Sequence, residues 1–403
     1  MTAAGVSEDD WQAQVVRFGV QTSPPVFDKN PDRLQIKFAP FYGDPGALAD
    51  HLGEQGLLRV KLSGPNEWST QQSFTADQLA GNRITYNLPE LVFNEADYQV
   101  QFELEDGDDA TSIPGSIFSY VKDFSVRLES LQEVVPELRG QIDDTLFATV
   151  KESVELLESI NRGTSQEIDY PVHQILSLAE SIVEKPDQAF ELLASAARAT
   201  DCWMALGQKR KRVQIRVRAP KAVGEKLPVL FLFHGAGGSE NMFFETYGAG
   251  KYVRMGLERG YLVVATRAGL SGVSLEVPQM LDELEKLYSI DRDQVMVVGH
   301  SMGAGEVMRQ AIASPDQIKA AVALGGGGRI RDAETVSGIK WFVAAGELDF
   351  GRRGAMALHR SLESDGVDSV YKDYSQVEHM VIVQAAAEDV FGFLNQLLQS
   401  DNR

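Results

Sequence analysis

The chain has 403 residues, more than one hydrophobic core usually holds, so we expect two or three structural units. Hydrophobic residues make up 43% and charged residues 24%, and no apolar run approaches the ~18 residues needed to cross a bilayer, so membrane spanning is excluded. A formal net charge of −20 disfavours nucleic acid and anionic lipid as partners. A neutral or cationic small molecule stays open as a partner.

The amino terminus and the cysteine count bear on the compartment. The first residues have neither a basic stretch nor an apolar stretch, so we expect no signal peptide in this chain. A trimmed form of an exported protein has the same appearance, so cytoplasmic and exported locations both stay open. Cys202 is the single cysteine, so an intrachain disulfide is excluded. The oligomeric state stays open as well.

Residues 1–125 are predicted to form a β-rich amino-terminal domain that resembles a small sandwich. Three segments alternate apolar and polar residues at period two and are separated by Gly, Pro, Asn and Asp. Several short strands with such breaks are typical of a sandwich. The segments are 57–64, 83–88 and 98–106.

Residues 126–200 are predicted to be a helical connector with a packing role. Apolar residues recur at spacings of three or four over 128–157, which builds an apolar helical stripe. Pro136 suits the first turn of the longer helix. Two further helices are predicted for 173–185 and 187–199.

Residues 201–403 are predicted to be an α/β domain. Continuous apolar strands alternate with helices, which indicates a mostly parallel sheet with helices on both faces. Strands are predicted for 212–220, 227–235, 261–269, 294–299, 319–328 and 339–349. Helices are predicted for 252–260, 278–288, the segment after residue 301, 353–364 and 385–398.

A serine lies where a buried strand is predicted to become a helix, in "VMVVGHSMGAGEVM". A nucleophilic serine at such a sharp turn needs small residues two positions before and after it, and Gly299 and Gly303 flank Ser301 in this way. We expect Gly305 to let the helix approach the sheet. The helix amino terminus directs N–H groups at developing negative charge, and the Met302 N–H is one candidate oxyanion donor.

A second glycine-rich turn follows an earlier buried strand, in "LFLFHGAGGSENMF". Small residues there allow the backbone to approach a ligand. The N–H of Ala236 or Gly237 is therefore the second candidate oxyanion donor. His234 is interpreted as a residue that orients this loop.

The order serine, acid, histidine along the chain selects the other two candidates. Asp349 is the preferred acid because it lies just past the end of a strand, and Glu347 is the reserve. His379, in a loop before the last helix, is preferred over His359, which lies within a helical pattern. The candidate catalytic set is therefore Ser301, Asp349 and His379.

At these motifs, residues 201–403 resemble esterases of the α/β-hydrolase superfamily. The resemblance rests on "LFHGAGGSENMF", "YSIDRDQVMVVGHSMGAGEVM", "AAGELD" and "VEHMVIV" in this order. It is strongest to feruloyl and acetyl-xylan esterases and to polyhydroxybutyrate-depolymerase-like proteins, with some similarity to prolyl oligopeptidase catalytic domains. The resemblance implies a carboxylesterase with the triad Ser301, Asp349 and His379.

The sequence departs from the family pattern in two places. Only about a dozen residues separate the strand "AAVAL" from the acid-bearing strand, so no cap domain is expected there. An open, shallow site is implied, which favours exposed ester groups on large or polymeric substrates over buried lipid chains. The usual glycine pair after the serine is replaced by Gly303-Ala304-Gly305, which should be tolerated because alanine is small.

Two other functions stay open. One is a serine peptidase of the prolyl-oligopeptidase type, although about 125 β-rich residues are too few for a propeller. The other is a non-catalytic binding protein on a hydrolase scaffold. We expect no metal and no cofactor, because the six histidines have no paired ligand spacing and "GAGG" lacks a dinucleotide fingerprint.

The first 200 residues lie outside the resemblance. They are open to interpretation as a carbohydrate-binding sandwich, a lid or an oligomerisation unit. Trp11 and Trp68 are candidates for stacking on sugars, although aromatic residues in a small β unit more often pack in its core.

Overall fold

The protein is described by a computed structural model. The described residues are 18–40, 52, 56–79, 82–89, 93–106, 109–165, 167, 169–208, 211–221, 226–269, 272–273 and 275–400.

The chain divides into two compact units. One unit combines Asp143–Thr149 with Asp187–Arg403, and the other combines Val15–Ile142 with Val150–Pro186. The helical segment is therefore distributed between the two units. The predicted three-part division, with boundaries near residues 125 and 200, remains a proposal about domains.

The described residues of the amino-terminal unit form two sheets. Strands β1, β3 and β6 form an antiparallel sheet, and the second sheet has the order β2-β8-β7-β4-β5, with β2 parallel to β8 and the other pairs antiparallel. The three predicted strands correspond to β4, β6 and β7. The bounds are β1 Phe18–Ser23, β2 Val26–Phe27, β3 Arg33–Pro40, β4 Leu57–Ser63, β5 Ser69–Thr75, β6 Arg83–Asn87, β7 Ala96–Asp106 and β8 Asp109–Tyr120.

Buried side chains from both of these sheets belong to one hydrophobic cluster. Phe38 of β3 contacts Phe102 of β7 edge to face, with ring centroids 5.4 Å apart. The Trp68 indole packs edge-on against Phe93 and Tyr98, as expected for a core aromatic. The interpretation as a sandwich stays a prediction, and Trp11 lies outside the described residues.

Among the residues that the structure describes, four helices follow these strands, and one boundary differs from the prediction. Pro136 was expected in the first turn of the longer helix, but it lies in the turn after α1, and α2 begins eight residues later. That expectation is wrong because Asp143, not the proline, begins α2: its carboxylate accepts the Thr145 N–H at 2.8 Å. The helices are α1 Phe124–Val134, α2 Asp144–Asn161, α3 Val172–Glu184 and α4 Ala189–Ala199.

The second unit contains an eight-stranded, mostly parallel sheet. Its strand order is β16-β15-β14-β13-β11-β12-β10-β9, and only the β9–β10 and β10–β12 pairs are antiparallel. The predicted mostly parallel sheet is confirmed, but the edge strands β9 and β16 were not predicted. The bounds are β9 Cys202–Gln208, β10 Lys211–Arg218, β11 Leu227–Phe233, β12 Leu262–Thr266, β13 Ile290–His300, β14 Ala320–Leu324, β15 Lys340–Gly346 and β16 Ser369–Tyr374.

Helices pack on both faces of this sheet. A Cβ on Gly256 of α6 would meet Leu230, whereas a Cβ on Gly299 would meet Val307 of α8. Gly299 pairs with Phe233 of β11, so both residues face the same side of the sheet. Leu230 lies three residues before Phe233 and therefore faces the opposite side, because side chains alternate along a strand. The two helices thus pack on opposite faces. The helices are α5 Met242–Glu245, α6 Lys251–Glu258, α7 Val277–Leu284, α8 Met302–Ala313, α9 Arg352–Ser364 and α10 Ile382–Ser400.

The parallel strands determine where the candidate residues meet. The segments after β11, β13 and β15 leave the same edge of the sheet, because neighbouring parallel strands end there together. The segment between β16 and α10 leaves that edge as well.

Within the part of the chain that the structure describes, no helix has the length and apolar character of a membrane span.

Two glycines near the serine differ in the space around them. A Cβ on Gly303 would lie 2.0 Å from the Phe233 carbonyl oxygen, whereas a Cβ on Gly305 would meet no atom within 4 Å. The expectation that Gly305 permits close packing of α8 on the sheet is therefore wrong, and Gly303 has that role.

Gly303→Ala and Gly305→Ala form a matched pair for a stability test. We expect Gly303→Ala to destabilise the protein by about 3 kcal/mol or more through backbone overlap, and Gly305→Ala to stabilise it by ~0.5–1 kcal/mol because alanine favours a helix interior. Thermal melting of both variants measures this difference. A Gly303→Ala variant that melts at or above the wild-type temperature would contradict the packing argument.

Candidate active site

Ser301 occupies a strained turn between β13 and α8. Its backbone has φ 56° and ψ −115°, a conformation that costs on the order of 1–3 kcal/mol for a residue with a side chain. A Cβ on Gly299 would lie 2.0 Å from the Gly303 carbonyl oxygen. Both flanking glycines are therefore required by the close backbone contacts that hold the turn.

Ser301, His379 and Asp349 form one chain of hydrogen bonds. The Ser301 Oγ lies 2.8 Å from His379 Nε2, and His379 Nδ1 lies 2.6 Å from Asp349 Oδ1. Because the carboxylate only accepts, Nδ1 carries the ring proton and Nε2 is the acceptor for the serine hydroxyl. The predicted residues, which are up to 78 positions apart in the chain, thus lie together in the structure.

The Asp349 carboxylate is held in the charged form. Burial raises its pKa, but hydrogen bonds from His379 and from the Gly351 N–H, together with the nearby imidazoles, lower it, and the net direction is downward. Oδ1 accepts both of these hydrogen bonds, whereas Oδ2 has no hydrogen-bond partner among the described residues. A charged Asp349 fixes the ring orientation of His379.

The reserve acid Glu347 lies elsewhere. Its carboxylate accepts hydrogen bonds from the Ser375 hydroxyl and the Gln376 N–H, at 3.0 and 3.2 Å, and it is exposed. His359, the histidine not preferred from the sequence, hydrogen-bonds Ser369 and stacks near Tyr371. Neither residue is a partner of His379 in the contacts observed.

His300, immediately before the serine, holds the His379 loop in place. His300 Nε2 donates to the His379 carbonyl oxygen at 2.8 Å, so Nδ1 is free of a proton and accepts from the Tyr247 hydroxyl at 2.6 Å. That hydroxyl in turn accepts the Gly235 N–H at 3.4 Å. A continuous network therefore joins the loop after β11 to the loop that carries His379.

The glycine-rich loop after β11 is anchored by His234. This ring is buried, with Nδ1 2.6 Å from the Gly235 carbonyl oxygen and Nε2 accepting the Ala268 N–H at 2.9 Å. Ala236 and Gly237 beyond it are exposed, and Gly237 has φ +77°. Met302 at the start of α8 is half-buried. The assignment of Met302, Ala236 and Gly237 as oxyanion donors stays a prediction.

A second glycine run packs under the serine and was not selected from the sequence. A Cβ on Gly326 would lie 2.6 Å from the Ser301 carbonyl oxygen, and a Cβ on Gly325 would lie 2.7 Å from Asp349 Oδ2. Gly325 also has φ +56°. The signal in the sequence was the four consecutive glycines directly after β14, at the same edge as the serine.

An exposed aromatic ring covers the candidate base. The Phe350 ring centroid lies 3.8 Å from that of His379 at an interplanar angle of 36°, while 80% of Phe350 is exposed to solvent. Phe350 was not predicted as a site residue, since an exposed position cannot be recognised from one residue in a turn. In the described ranges, no group of three or more His, Cys, Asp or Glu residues is placed to hold a metal ion.

Comparison with known proteins gives structural likenesses only. No family model and no curated protein matches the chain. A ferulic acid esterase matches with a TM-score of 0.42 and 16% identity over 49% of this chain and 98% of its own. An S-formylglutathione hydrolase from Agrobacterium tumefaciens matches with a TM-score of 0.39 and 15% identity over 49% of this chain and 96% of its own.

A third likeness is to a ferulic acid esterase from Anaeromyces mucronatus, whose structure contains ferulic acid. The TM-score is 0.41 and the identity 16%, over 48% of this chain and 89% of the other. With such low identities, the activities of these proteins do not transfer to this chain.

The environment of His300 leads to a pH prediction. Burial, assisted by repulsion from the His379 imidazole, lowers the pKa of His300 from 6.5 to about 4. Its neutral form therefore contributes stability that is complete above the unfolded pKa near 6.5 and is lost as the pH falls towards about 4. In a ¹⁵N-histidine NMR titration, we expect one ring to remain neutral, with the proton on Nε2, until the pH approaches about 4.

The His300→Gln variant identifies this resonance by its disappearance. A His300 ring that titrates near its ordinary pKa of 6.5 would contradict the buried, neutral role given to it here.

Proposed function

We propose that this chain is a serine ester hydrolase of the α/β-hydrolase type that acts through a covalent acyl-enzyme. The observation that carries the proposal is the hydrogen-bonded series from Ser301 through His379 to Asp349, with the serine on a strained turn. Such a series is the arrangement that activates a serine hydroxyl.

In the proposed mechanism, His379 is the general base. Nε2 takes the proton of Ser301 as Oγ attacks the acyl carbon of the ester, and the same nitrogen then gives that proton to the departing alkoxide. Asp349 stabilises the imidazolium that forms between these steps. His379 Nε2 then takes a proton from water as the water oxygen attacks the acyl carbon, and it returns that proton to Ser301 Oγ as the bond from Oγ to the acyl carbon breaks and the acid leaves.

The oxyanion of the tetrahedral intermediate is proposed to bind backbone N–H groups. The Met302 N–H belongs to the first turn of α8, where the helix dipole produces a positive partial charge. The N–H of Ala236 or Gly237 supplies the second donor, and the Tyr247 and His300 network ties their loop to the His379 loop. Loss of one such donor typically lowers kcat by ~10²–10³.

The substrate class proposed is an acyl or feruloyl-type ester, small or linked to a polymer. The connection between β14 and β15 spans only residues 325–339 and holds one short 3₁₀ turn, Ala333–Val336, so no cap domain is inserted there. A site without a cap at this connection suits ester groups carried on large alcohols. No metal or cofactor takes part in the proposed reaction.

The nucleophile is tested by Ser301→Ala. We expect this variant to lose at least about 10³-fold of the activity toward 4-nitrophenyl acetate, because the acyl-enzyme can no longer form. Its melting temperature should show that the fold is retained. Equal turnover by wild type and variant would remove Ser301 from this role. If the wild type hydrolyses aminoacyl amides faster than esters, the result would favour a peptidase.

The choice of acid is tested by two variants of neighbouring carboxylates. Asp349→Asn should lower kcat by about 10²-fold or more, because the amide no longer holds the proton on the Nδ1 side of His379. Glu347→Gln, the matched control, should retain activity within about 2-fold, since Glu347 bonds Ser375 and Gln376 instead. A larger loss in Glu347→Gln than in Asp349→Asn would reverse the assignment.

A further inference from the structure

We propose that the exposed face of Phe350 binds an apolar group on the alcohol side of the ester. This inference rests on the proposed function. One side of the Phe350 ring lies over the His379 imidazole, with the two ring centroids 3.8 Å apart, while 80% of Phe350 is exposed to solvent.

An exposed apolar side chain is not by itself evidence of a binding site. Single exposed apolar residues are common on soluble proteins, and Val126, Ile312, Leu348 and Val370 are also exposed here. Phe350 is distinguished by its contact with the imidazole that hydrogen-bonds Ser301. A ligand group that reaches this imidazole also reaches the phenyl ring.

The turn that carries Phe350 is fixed on both sides. The Asp349 N–H donates to the Gly346 carbonyl oxygen at 3.1 Å, and the Gly351 N–H donates to Asp349 Oδ1 at 2.6 Å. The Leu348 N–H donates to the Val377 carbonyl oxygen at 3.0 Å. The backbone that presents the ring is therefore organised before a substrate arrives, which reduces the entropy lost on binding.

The chemistry of proton transfer selects the alcohol side. The nitrogen that takes the Ser301 proton must give it to the departing oxygen of the ester, so this oxygen comes within about 2.6–3.2 Å of His379 Nε2. The first carbons of the alcohol consequently lie beside the imidazole. A phenyl or longer alkyl group on that oxygen can extend onto Phe350, whereas a methyl group is too short.

The test compares two esters with the same acyl group, benzyl acetate and methyl acetate. We expect Phe350→Ala to lower the ratio of their kcat/KM values by about 5- to 10-fold, mainly through KM for benzyl acetate, as expected for loss of apolar contact on one side. Phe350→Tyr keeps the ring and should restore most of the ratio. Ile312→Ala, an exposed apolar residue in α8, is the control and should leave the ratio within about 2-fold.

A second series holds the alcohol constant and varies the acyl group, methyl acetate against methyl hexanoate. We expect Phe350→Ala to leave this ratio unchanged. A change in the acyl ratio without a change in the alcohol ratio would overturn the assignment of the ring to the alcohol side. An equal loss on every ester would also overturn it, because the ring would then act on His379 and not on the substrate.

The outcome for wild type separates this inference from the proposed function. If wild type turns over neither 4-nitrophenyl acetate nor any of these esters, the proposed function and this inference both fall, whereas turnover of 4-nitrophenyl acetate alone removes only this inference. If wild type is active and Phe350→Ala leaves the benzyl-to-methyl ratio unchanged, only the role of Phe350 is lost.

Discussion

The close approach of backbone to backbone around Ser301 is the constraint on which the site depends. A side chain at Gly299 or Gly303 would overlap a carbonyl oxygen at 2.0 Å, so only glycine allows β13 and α8 to meet at this angle. The resulting positive φ of Ser301 is unfavourable in isolation and persists because the surrounding sheet and helix hold it. The strained turn holds the Ser301 hydroxyl 2.8 Å from His379 Nε2.

Buried polar contacts then hold the other loops relative to this turn. His300 continues β13 and donates to the His379 carbonyl oxygen, while Tyr247 connects it to the loop after β11. The Tyr247 hydroxyl and both ring nitrogens of His300 have hydrogen-bond partners, as low-dielectric surroundings require. The candidate nucleophile, base and oxyanion loops are thus held by one set of hydrogen bonds, at the edge where the parallel strands end.

The sequence predicts much of the second unit because parallel strands buried on both faces are continuous apolar runs. The edge strands β9 and β16 were missed: β16, "SVYKDY", has a mixed polar composition, whereas β9, "CWMALGQ", is mostly apolar but follows directly on a helical pattern. Pro136 was misplaced because the apolar stripe continues across a turn. The position of Ser301 could be predicted from its flanking glycines, since their spacing reflects a local steric need.

Other parts of the site could not be predicted because they depend on tertiary contacts. The bond from Tyr247 to His300 joins residues 53 positions apart, and neither side chain has a local pattern that indicates it. The different roles of Gly303 and Gly305 depend on which side of α8 meets the sheet.

In the proposed mechanism, Ser301 is a nucleophile activated by His379. Treating the chain with a fluorophosphonate and locating the adduct by peptide mass spectrometry tests this most directly. We expect a single phosphonylated residue, Ser301, and slow labelling in a His379→Gln variant. An unlabelled Ser301 in the folded wild type, or labelling that is equally fast without His379, would contradict it.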